Sequence, residues 1–181
     1  MTFKALIMDK AALMRALKRI SHEILERNGG SDNLCIIGIK RKGVPLAKII
    51  ADNINEIEGV ELPVGSLDIT MHRDDIKKDS DNEVVNSSDI PFSIAGKKVI
   101  MVDDVLFTGR TARAAMEALI TLGRPSAIQF AVLIDRGHRE LPIRGDYVGK
   151  NIPTSLSEEV LVKVPEFDDE ASVCLYSKDL R

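Results

Sequence analysis

The chain has 181 residues, of which 44% are hydrophobic and 29% charged, with a formal net charge of −3. This length suffices for one domain with a hydrophobic core, and the acidic balance excludes a globally basic nucleic-acid-binding protein, so RNA would need a local basic patch. No apolar run reaches the ~20 residues of a membrane span, and no signal-peptide pattern opens the chain. Cys35 and Cys174 lie in apolar runs outside any metal-binding pattern, which favours buried thiols and a cytoplasmic location.

The first part of the chain predicts a strand and then an amphipathic helix. Residues 4–8 form an apolar strand, and Asp9 is placed to cap a helix over 10–27. The polar face of this helix carries four basic residues: Arg15, Lys18, Arg19 and His22. At ~100° per residue they lie together, which is typical of a solvated helix face and is also compatible with a binding stripe.

A basic loop follows the second strand. Residues 33–39 predict a buried strand, and the next four are Lys40, Arg41, Lys42 and Gly43. Pro45 then lies in the first turn of a helix that runs to about Asn55. Cations at the end of a strand and before a helix N-terminus form an anion pocket, with a basic surface turn as the alternative.

A charged stretch interrupts the regular pattern after the third predicted strand. Residues 62–71 predict that strand, whereas residues 72–89 are rich in Asp, Asn and Ser and have no apolar period. Such a composition is typical of a solvent-exposed loop.

The most informative stretch is VIMVDDVLFTGRTARAAMEAL, residues 99–119. Its apolar start predicts a buried parallel strand, which is followed by Asp103 and Asp104, a Gly-containing loop, and a helix that ends near Gly123. Loop amides before a helix suit a phosphate, whereas the natural partners of paired carboxylates are hydroxyl groups or a divalent metal. Together they describe a site for a ribose 5-phosphate. GxxxxGK[ST] and GxGxxG are both absent, which excludes the two commonest nucleotide loops.

The last part of the chain completes an alternation of strands and helices. Residues 128–134 predict a strand, residues 135–155 are rich in Gly and Pro, and two short strands follow at 160–164 and 173–176. This order predicts an α/β fold with a doubly wound, mainly parallel sheet in a single domain over 1–181.

The string at 99–111 resembles the phosphoribosyl pyrophosphate (PRPP) motif of type I phosphoribosyltransferases. The resemblance implies that fold, with a flexible lid at 72–89 and a base-binding hood at 135–155. It also implies Mg²⁺ held indirectly, through PRPP, beside Asp103 and Asp104; these two, with Arg41 and Lys42, are the implied catalytic residues. The implied PRPP-binding residues are Lys40, Arg41, Lys42, Gly43, Arg73, Val99, Asp103, Asp104, Val105, Leu106, Phe107, Thr108, Gly109, Arg110 and Thr111. The implied base-binding residues are Asp135, Tyr147 and Val148, with a core aromatic as the alternative for Tyr147.

Residues 135–155 and the helix at 16–28 resemble one branch of this family, which combines uracil phosphoribosyltransferase activity with RNA-binding control of pyrimidine operons. That branch implies PRPP and uracil as substrates, UMP or UTP as effectors, a leader mRNA hairpin as partner, and a homo-oligomer. Its implied RNA-binding residues are Lys18, Arg19, His22, Arg27, Arg139, Arg144 and Lys150.

The alternative is a hypoxanthine or guanine salvage enzyme without RNA binding. In the family that this chain resembles, purine-specific members carry an aspartate immediately before the Thr-Gly of the loop. Phe107 stands there in this chain, and a phenyl ring cannot act as an acid or base. This residue therefore weighs against a purine substrate.

Overall fold

A computed structural model of the chain describes residues 1–70 and 88–178. Strands and helices alternate through most of it. The elements are β1 (Thr2–Met8), α1 (Lys10–Asn28), β2 (Leu34–Ile39), α2 (Gly43–Glu58), β3 (Val64–Leu67), β4 (Lys98–Leu106), α3 (Arg110–Leu122), β5 (Ala127–Asp135), β6 (Tyr147–Asn151), β7 (Glu158–Lys163) and β8 (Ser172–Ser177). Asp9 caps α1 as predicted, because its side chain accepts a hydrogen bond from the Ala12 amide.

The main sheet has five strands in the order β3-β2-β4-β5-β6, and every neighbouring pair is parallel. Apolar side chains of α1 and α2 join one buried cluster, whereas those of α3 join the other. The helices therefore cover both faces of the sheet, which confirms the predicted doubly wound α/β fold. β4 lies at the centre, so its carboxyl end is flanked by the ends of β2 and β5.

A second, antiparallel sheet has the order β1-β8-β7. The predicted hood is not part of it, since the second half of 135–155 is β6, an edge strand of the main sheet paired with β5. Gly149 permits this pairing, because a Cβ there would overlap the carbonyl oxygen of Leu133. The small second layer is thus built from the first and the last two strands instead.

Two boundaries differ from the predictions. The third strand was expected over 62–71 but spans only Val64–Leu67, because the Asp68 carboxylate then accepts the amide and hydroxyl of Thr70 and turns the chain. α2 continues past Asn55 to Glu58 and ends at Gly59 in the left-handed region, with φ of 69°. The predicted lid falls largely outside the described residues, as does Arg73; Asp89, near its end, forms an isolated antiparallel bridge with Ser66.

Both cysteines are buried free thiols, as predicted. Cys35 lies in the middle of the main sheet, where burial raises the pKa of its thiol to about 11. Across the described ranges, none of the helices combines the length and apolar character needed to cross a bilayer.

The pKa of Cys35 predicts a loss of stability in alkaline solution. The unfolded thiol ionises near its ordinary value of 9.0, while the folded thiol stays protonated up to about 11, so rising pH favours the unfolded chain across that window. Between about pH 8 and pH 10.5, we expect the unfolding free energy of the wild type to fall by about 2 kcal/mol more than that of Cys35→Ala. Urea titrations at both pH values measure this, with Cys174→Ala as the matched control. An equal fall in the wild type and Cys35→Ala would contradict the assignment.

Candidate active site

The acidic pair Asp103 and Asp104 lies within β4, which continues to Leu106, rather than after the strand as the sequence suggested. Asp103 is 8% exposed. Its Oδ1 accepts the Asp104 amide at 2.9 Å, and Oδ1 of Asp104 accepts the Val105 amide at 2.8 Å. These bonds orient the carboxylates at the carboxyl edge of the sheet.

The environment of Asp104 disfavours its charge. Removal from water raises the pKa of Asp104, while its hydrogen bonds and the nearby ammonium of Lys42 act in the opposite direction. A desolvated carboxylate of this kind binds hydroxyl groups or a cation more strongly than one in water does.

A cavity of about 810 Å³ opens beside the acidic pair. It brings together the ends of three parallel strands and a loop of the second sheet. Its lining residues are Lys40, Arg41, Lys42, Asp68, Ile69, Thr70, Asp103, Asp104, Val105, Thr111, Phe167 and Asp168. The structure thus places the three cations of the basic loop and both aspartates in one cavity, with opposite charges on its walls.

The basic loop is held close to β4. Its Lys40–Arg41 peptide is cis. Gly43 is buried at the start of α2, where a Cβ would overlap the carbonyl oxygen of Val102, so only glycine lets the helix N-terminus approach the strand this closely. Gly43 therefore acts through packing, whereas the cations before it line the cavity.

One wall of this cavity was not predicted from the sequence. The loop between β7 and β8 places Phe167 and Asp168 against the basic loop. The Arg41 guanidinium lies 5.4 Å from the centroid of the Phe167 ring, and Lys42 Nζ donates to the Val162 carbonyl and lies 3.9 Å from the Asp168 carboxylate. The acidic run after β7 was the available signal, but nothing in its spacing indicated a cation-rich partner.

A second cavity of about 310 Å³ adjoins the first. The TGRT loop (residues 108–111) and the start of α3 form most of its wall. Gly109 of this loop precedes the helix with φ of 93°. Asp103, Val105 and Thr111 line both cavities, which places Asp103 where the two meet, whereas Asp104 lines only the large one. The remaining lining residues of the small cavity are Leu106, Phe107, Thr108, Gly109, Arg110, Ala112, Phe130 and Glu140.

Val99, which the resemblance assigns to the PRPP-binding residues, lies away from both cavities. It is fully buried and pairs with Cys35 and Ile128 at the amino-terminal part of β4. It lines neither cavity, because ligands reach a parallel sheet at the opposite, carboxyl ends of its strands.

The predicted base-binding residues line neither of the two cavities. Tyr147 is 2% exposed and its hydroxyl donates to Gln129 Oε1 at 2.6 Å, which matches the core alternative. The reason is its position as the first residue of β6, far along the strand from the carboxyl edge. Val148 packs into the cluster around α3. Asp135 ends β5, accepts the Gly137 amide at 3.0 Å and forms an ion pair with Arg139.

Arg136, which the sequence analysis did not identify, supports the start of the TGRT loop. Its guanidinium lies 4.1 Å from the centroid of the Phe107 ring and donates to Thr154 Oγ1 and to the Ser155 carbonyl. Burial lowers the pKa of Arg136. The side chain joins the start of the TGRT loop to the chain before β7; the run DRG after a strand gave no indication of this stacking.

The basic face of α1 lies beside β6. Arg19 donates to the carbonyl oxygens of Val148 and Gly149, at 3.1 and 2.7 Å, and Arg27 forms an ion pair with Asp146 at 2.7 Å. The structure therefore brings the α1 cations near the segment that carries the other predicted RNA-binding residues. Four α1 residues and two beyond α1 are exposed: Lys18, Arg19, His22, Arg27, Arg144 and Lys150.

Arg139 differs from the other predicted RNA-binding residues. Its guanidinium donates to the Ile143 and Phe107 carbonyls, each at 2.8 Å, and to the Asp135 carboxylate. In this conformation the Arg139 side chain points to the start of the TGRT loop and away from the basic face of α1.

Comparison with known proteins places this geometry in a family. A model of the phosphoribosyl transferase domain matches residues 6–167. The bifunctional protein PyrR of Caldicellulosiruptor saccharolyticus is 61% identical over 96% of this chain and 95% of its own length. The bifunctional protein PyrR of Bacillus subtilis is 54% identical over 99% and 100%.

Solved structures agree on the fold. The hypoxanthine phosphoribosyltransferase of Trypanosoma cruzi has a TM-score of 0.74 and 17% identity, with 98% of each chain covered. A hypoxanthine phosphoribosyltransferase of Staphylococcus aureus has a TM-score of 0.70 and 20% identity, with 95% of this chain and 92% of that chain covered. At these identities the likeness concerns the fold alone, whereas the closely similar sequences and the matching domain model decide the family. The chain belongs to the phosphoribosyl transferase family and, within it, to the group of the bifunctional protein PyrR.

Proposed function

We propose that this protein is a uracil phosphoribosyltransferase, which converts uracil and PRPP to UMP and pyrophosphate, and also an RNA-binding regulator of pyrimidine biosynthesis. The observation that carries the enzymatic part is the acidic pair on β4, which shares the large cavity with the basic loop and whose Asp103 also lines the adjoining cavity of the TGRT loop. The word bifunctional in the names of close relatives supports two activities in one chain.

The two cavities accommodate the two ends of PRPP. The pyrophosphate lies in the large cavity against the cations of the basic loop, and the 5-phosphate lies in the small one against the TGRT loop and the start of α3. The ribose then lies between them, where Asp103 and Asp104 accept hydrogen bonds from its hydroxyl groups.

Charge stabilisation and positioning supply the catalysis. As pyrophosphate leaves C1, positive charge develops on the sugar and negative charge on the leaving group, which Arg41 and Lys42 stabilise. The ends of β2 and β5 flank β4 on opposite sides, so pyrophosphate departs on one side while uracil N1 approaches from the other. No side chain is needed as a nucleophile.

The acidic pair suits an indirectly held Mg²⁺. Carboxylate oxygens are the protein ligands that Mg²⁺ prefers, yet among residues 1–70 and 88–178 no three His, Cys, Asp or Glu side chains converge to hold a metal. Asp103 and Asp104 would hold the ion together with oxygens of PRPP. When bound there, Mg²⁺ would neutralise part of the charge of the departing pyrophosphate.

The regulatory activity uses the basic face of α1 together with Arg144 and Lys150. Because the chain is acidic overall, non-specific binding is weak and recognition depends on the shape of an RNA hairpin in the leader of pyrimidine messages. UMP or UTP in the active site strengthens this binding. The protein acts in the cytoplasm as a homo-oligomer.

The ribose site is tested by a single substitution. Asp104→Asn removes a charge-assisted hydrogen bond, so we expect kcat/KM for PRPP to fall by about ten- to a hundredfold, equivalent to ~1.5–3 kcal/mol. Initial rates at varied PRPP measure the loss. Asp52→Asn, on the exposed face of α2, is the matched control and keeps wild-type rates. Unchanged kinetics in Asp104→Asn would remove the ribose assignment.

The choice of base is tested by a direct screen. With PRPP and Mg²⁺, we expect turnover of uracil and none of hypoxanthine or guanine, since Phe107 cannot protonate or deprotonate a purine ring. Product analysis by chromatography distinguishes the bases, with orotate as a further pyrimidine. Turnover of hypoxanthine or guanine without turnover of uracil would make purine salvage the correct function.

The RNA surface is tested with an exposed cation that leaves the helix packing intact. We expect Arg144→Gln to weaken binding of a leader hairpin, because one phosphate contact is lost. The slope of the logarithm of the binding constant against the logarithm of the salt concentration should become shallower by about one. The matched control is Arg124→Gln, which removes an exposed cation just after α3. Gel-shift titrations with and without UMP measure both effects. The regulatory function fails if the wild type does not distinguish the hairpin from a scrambled RNA, or if UMP changes nothing.

A further inference from the structure

An acidic side chain lies in the cavity that the proposed function assigns to the 5-phosphate. Glu140 lines this cavity with the TGRT loop, and its carboxylate accepts a hydrogen bond from Arg110 Nε at 2.6 Å. A carboxylate next to a phosphate site repels the phosphate. Phosphate binding therefore does not explain the presence of Glu140, which instead pairs with Arg110, a cation that lines the same cavity.

The ion pair between Arg110 and Glu140 is one that a ligand can replace. The two side chains are 36% and 52% exposed, respectively. Ion pairs this exposed are weakened by water and contribute little to stability, whereas a phosphate offers Arg110 a higher charge and more than one acceptor oxygen.

Glu140 belongs to a segment, residues 139–143, whose backbone is hydrogen-bonded to the TGRT loop. The Thr108 carbonyl accepts the amides of Glu140 and Leu141, at 2.9 and 3.2 Å. Leu141 and Ile143 also lie beside Gly109, since a Cβ on that glycine would come within 3.4 and 3.5 Å of their Cβ atoms. The segment is therefore held to the TGRT loop through its backbone on both sides of the Glu140–Leu141 peptide.

The same segment leads into the proposed RNA surface. Arg144 follows it directly and is exposed. Two residues further on, Asp146 holds Arg27 of α1 at 2.7 Å. The segment thus connects the TGRT loop at one end with Arg144 and, through Asp146, with Arg27 at the other.

We propose that Glu140 competes with the 5-phosphate for Arg110, and that its release couples nucleotide binding to the RNA surface. Without a phosphate, Glu140 holds Arg110 and fixes segment 139–143 in the observed conformation. A 5-phosphate takes Arg110, Glu140 leaves the cavity, and Arg144 moves with the segment into its RNA-binding position. Because coupling is reciprocal, bound RNA strengthens nucleotide binding by the same factor. The inference rests on the proposed function for the identity of both ligands.

The test is Glu140→Gln, which keeps the size of the side chain and removes its charge. We expect UMP to bind about three- to tenfold more tightly and the KM for PRPP to fall similarly, while the KM for uracil is unchanged, because only the phosphate competes with Glu140. Calorimetry with UMP and initial rates measure these values. Glu117→Gln is the matched control. Glu117 pairs at 2.7 Å with Arg113 of α3, the helix that begins at Arg110, but it lines neither cavity.

The coupling is read from the same variants. We expect Glu140→Gln without UMP to bind the leader hairpin as tightly as the wild type does with UMP, and UMP to add nothing further. Glu117→Gln keeps the wild-type response to UMP. A destabilised or distorted loop would weaken both ligands, so tighter binding identifies competition rather than damage.

Two results overturn the proposal. If Glu140→Gln binds UMP more weakly than the wild type or equally well, Glu140 does not compete with the phosphate. If UMP binds more tightly but the hairpin responds to UMP as in the wild type, the segment does not carry the coupling. Failure of the proposed function is a separate outcome, seen when the wild type itself forms no UMP; the binding of UMP to both variants still decides the competition.

Discussion

The active site depends on how closely α2 approaches β4. The helix begins with Gly43 against the carbonyl of Val102, one residue before the acidic pair. A larger residue would push the helix N-terminus, and the basic loop before it, away from the strand. This single backbone contact therefore fixes the distance between the cations of the basic loop and the two carboxylates of β4.

Opposite charges line the large cavity, so it is not simply a basic pocket. Asp168 and Val162 of the second layer engage Lys42, while Phe167 lies under Arg41. These contacts give Arg41 and Lys42 partners within the protein, so their positive charges are partly balanced before any ligand binds. An anion bound here would exchange these protein partners for its own oxygens, which limits the net gain in affinity.

Much of the fold was predictable because its signals are local. The apolar run before Asp103, the Gly-containing loop and the helix after it appear in the sequence in the order in which they appear in space. The position of β6 was not predictable, since a Gly-rich stretch becomes a strand only when Gly149 meets the backbone of Leu133. Likewise, the roles of Arg136 and Asp168 depend on partners far away in sequence, and neither residue has a local signature. Tyr147 lies in the core because its strand runs parallel to β5, a direction that composition alone does not reveal.

The second sheet has a consequence for the time at which the enzyme becomes active. β8 is its central strand, and it pairs with β1 near the start of the chain and with β7 near the end. The loop that completes the large cavity lies between β7 and β8. During synthesis, the five-stranded sheet can assemble while the ribosome still holds the last strands, whereas this wall forms only after β8 has emerged. A nascent chain therefore carries the TGRT loop and the acidic pair before the wall formed by Phe167 and Asp168 is in place.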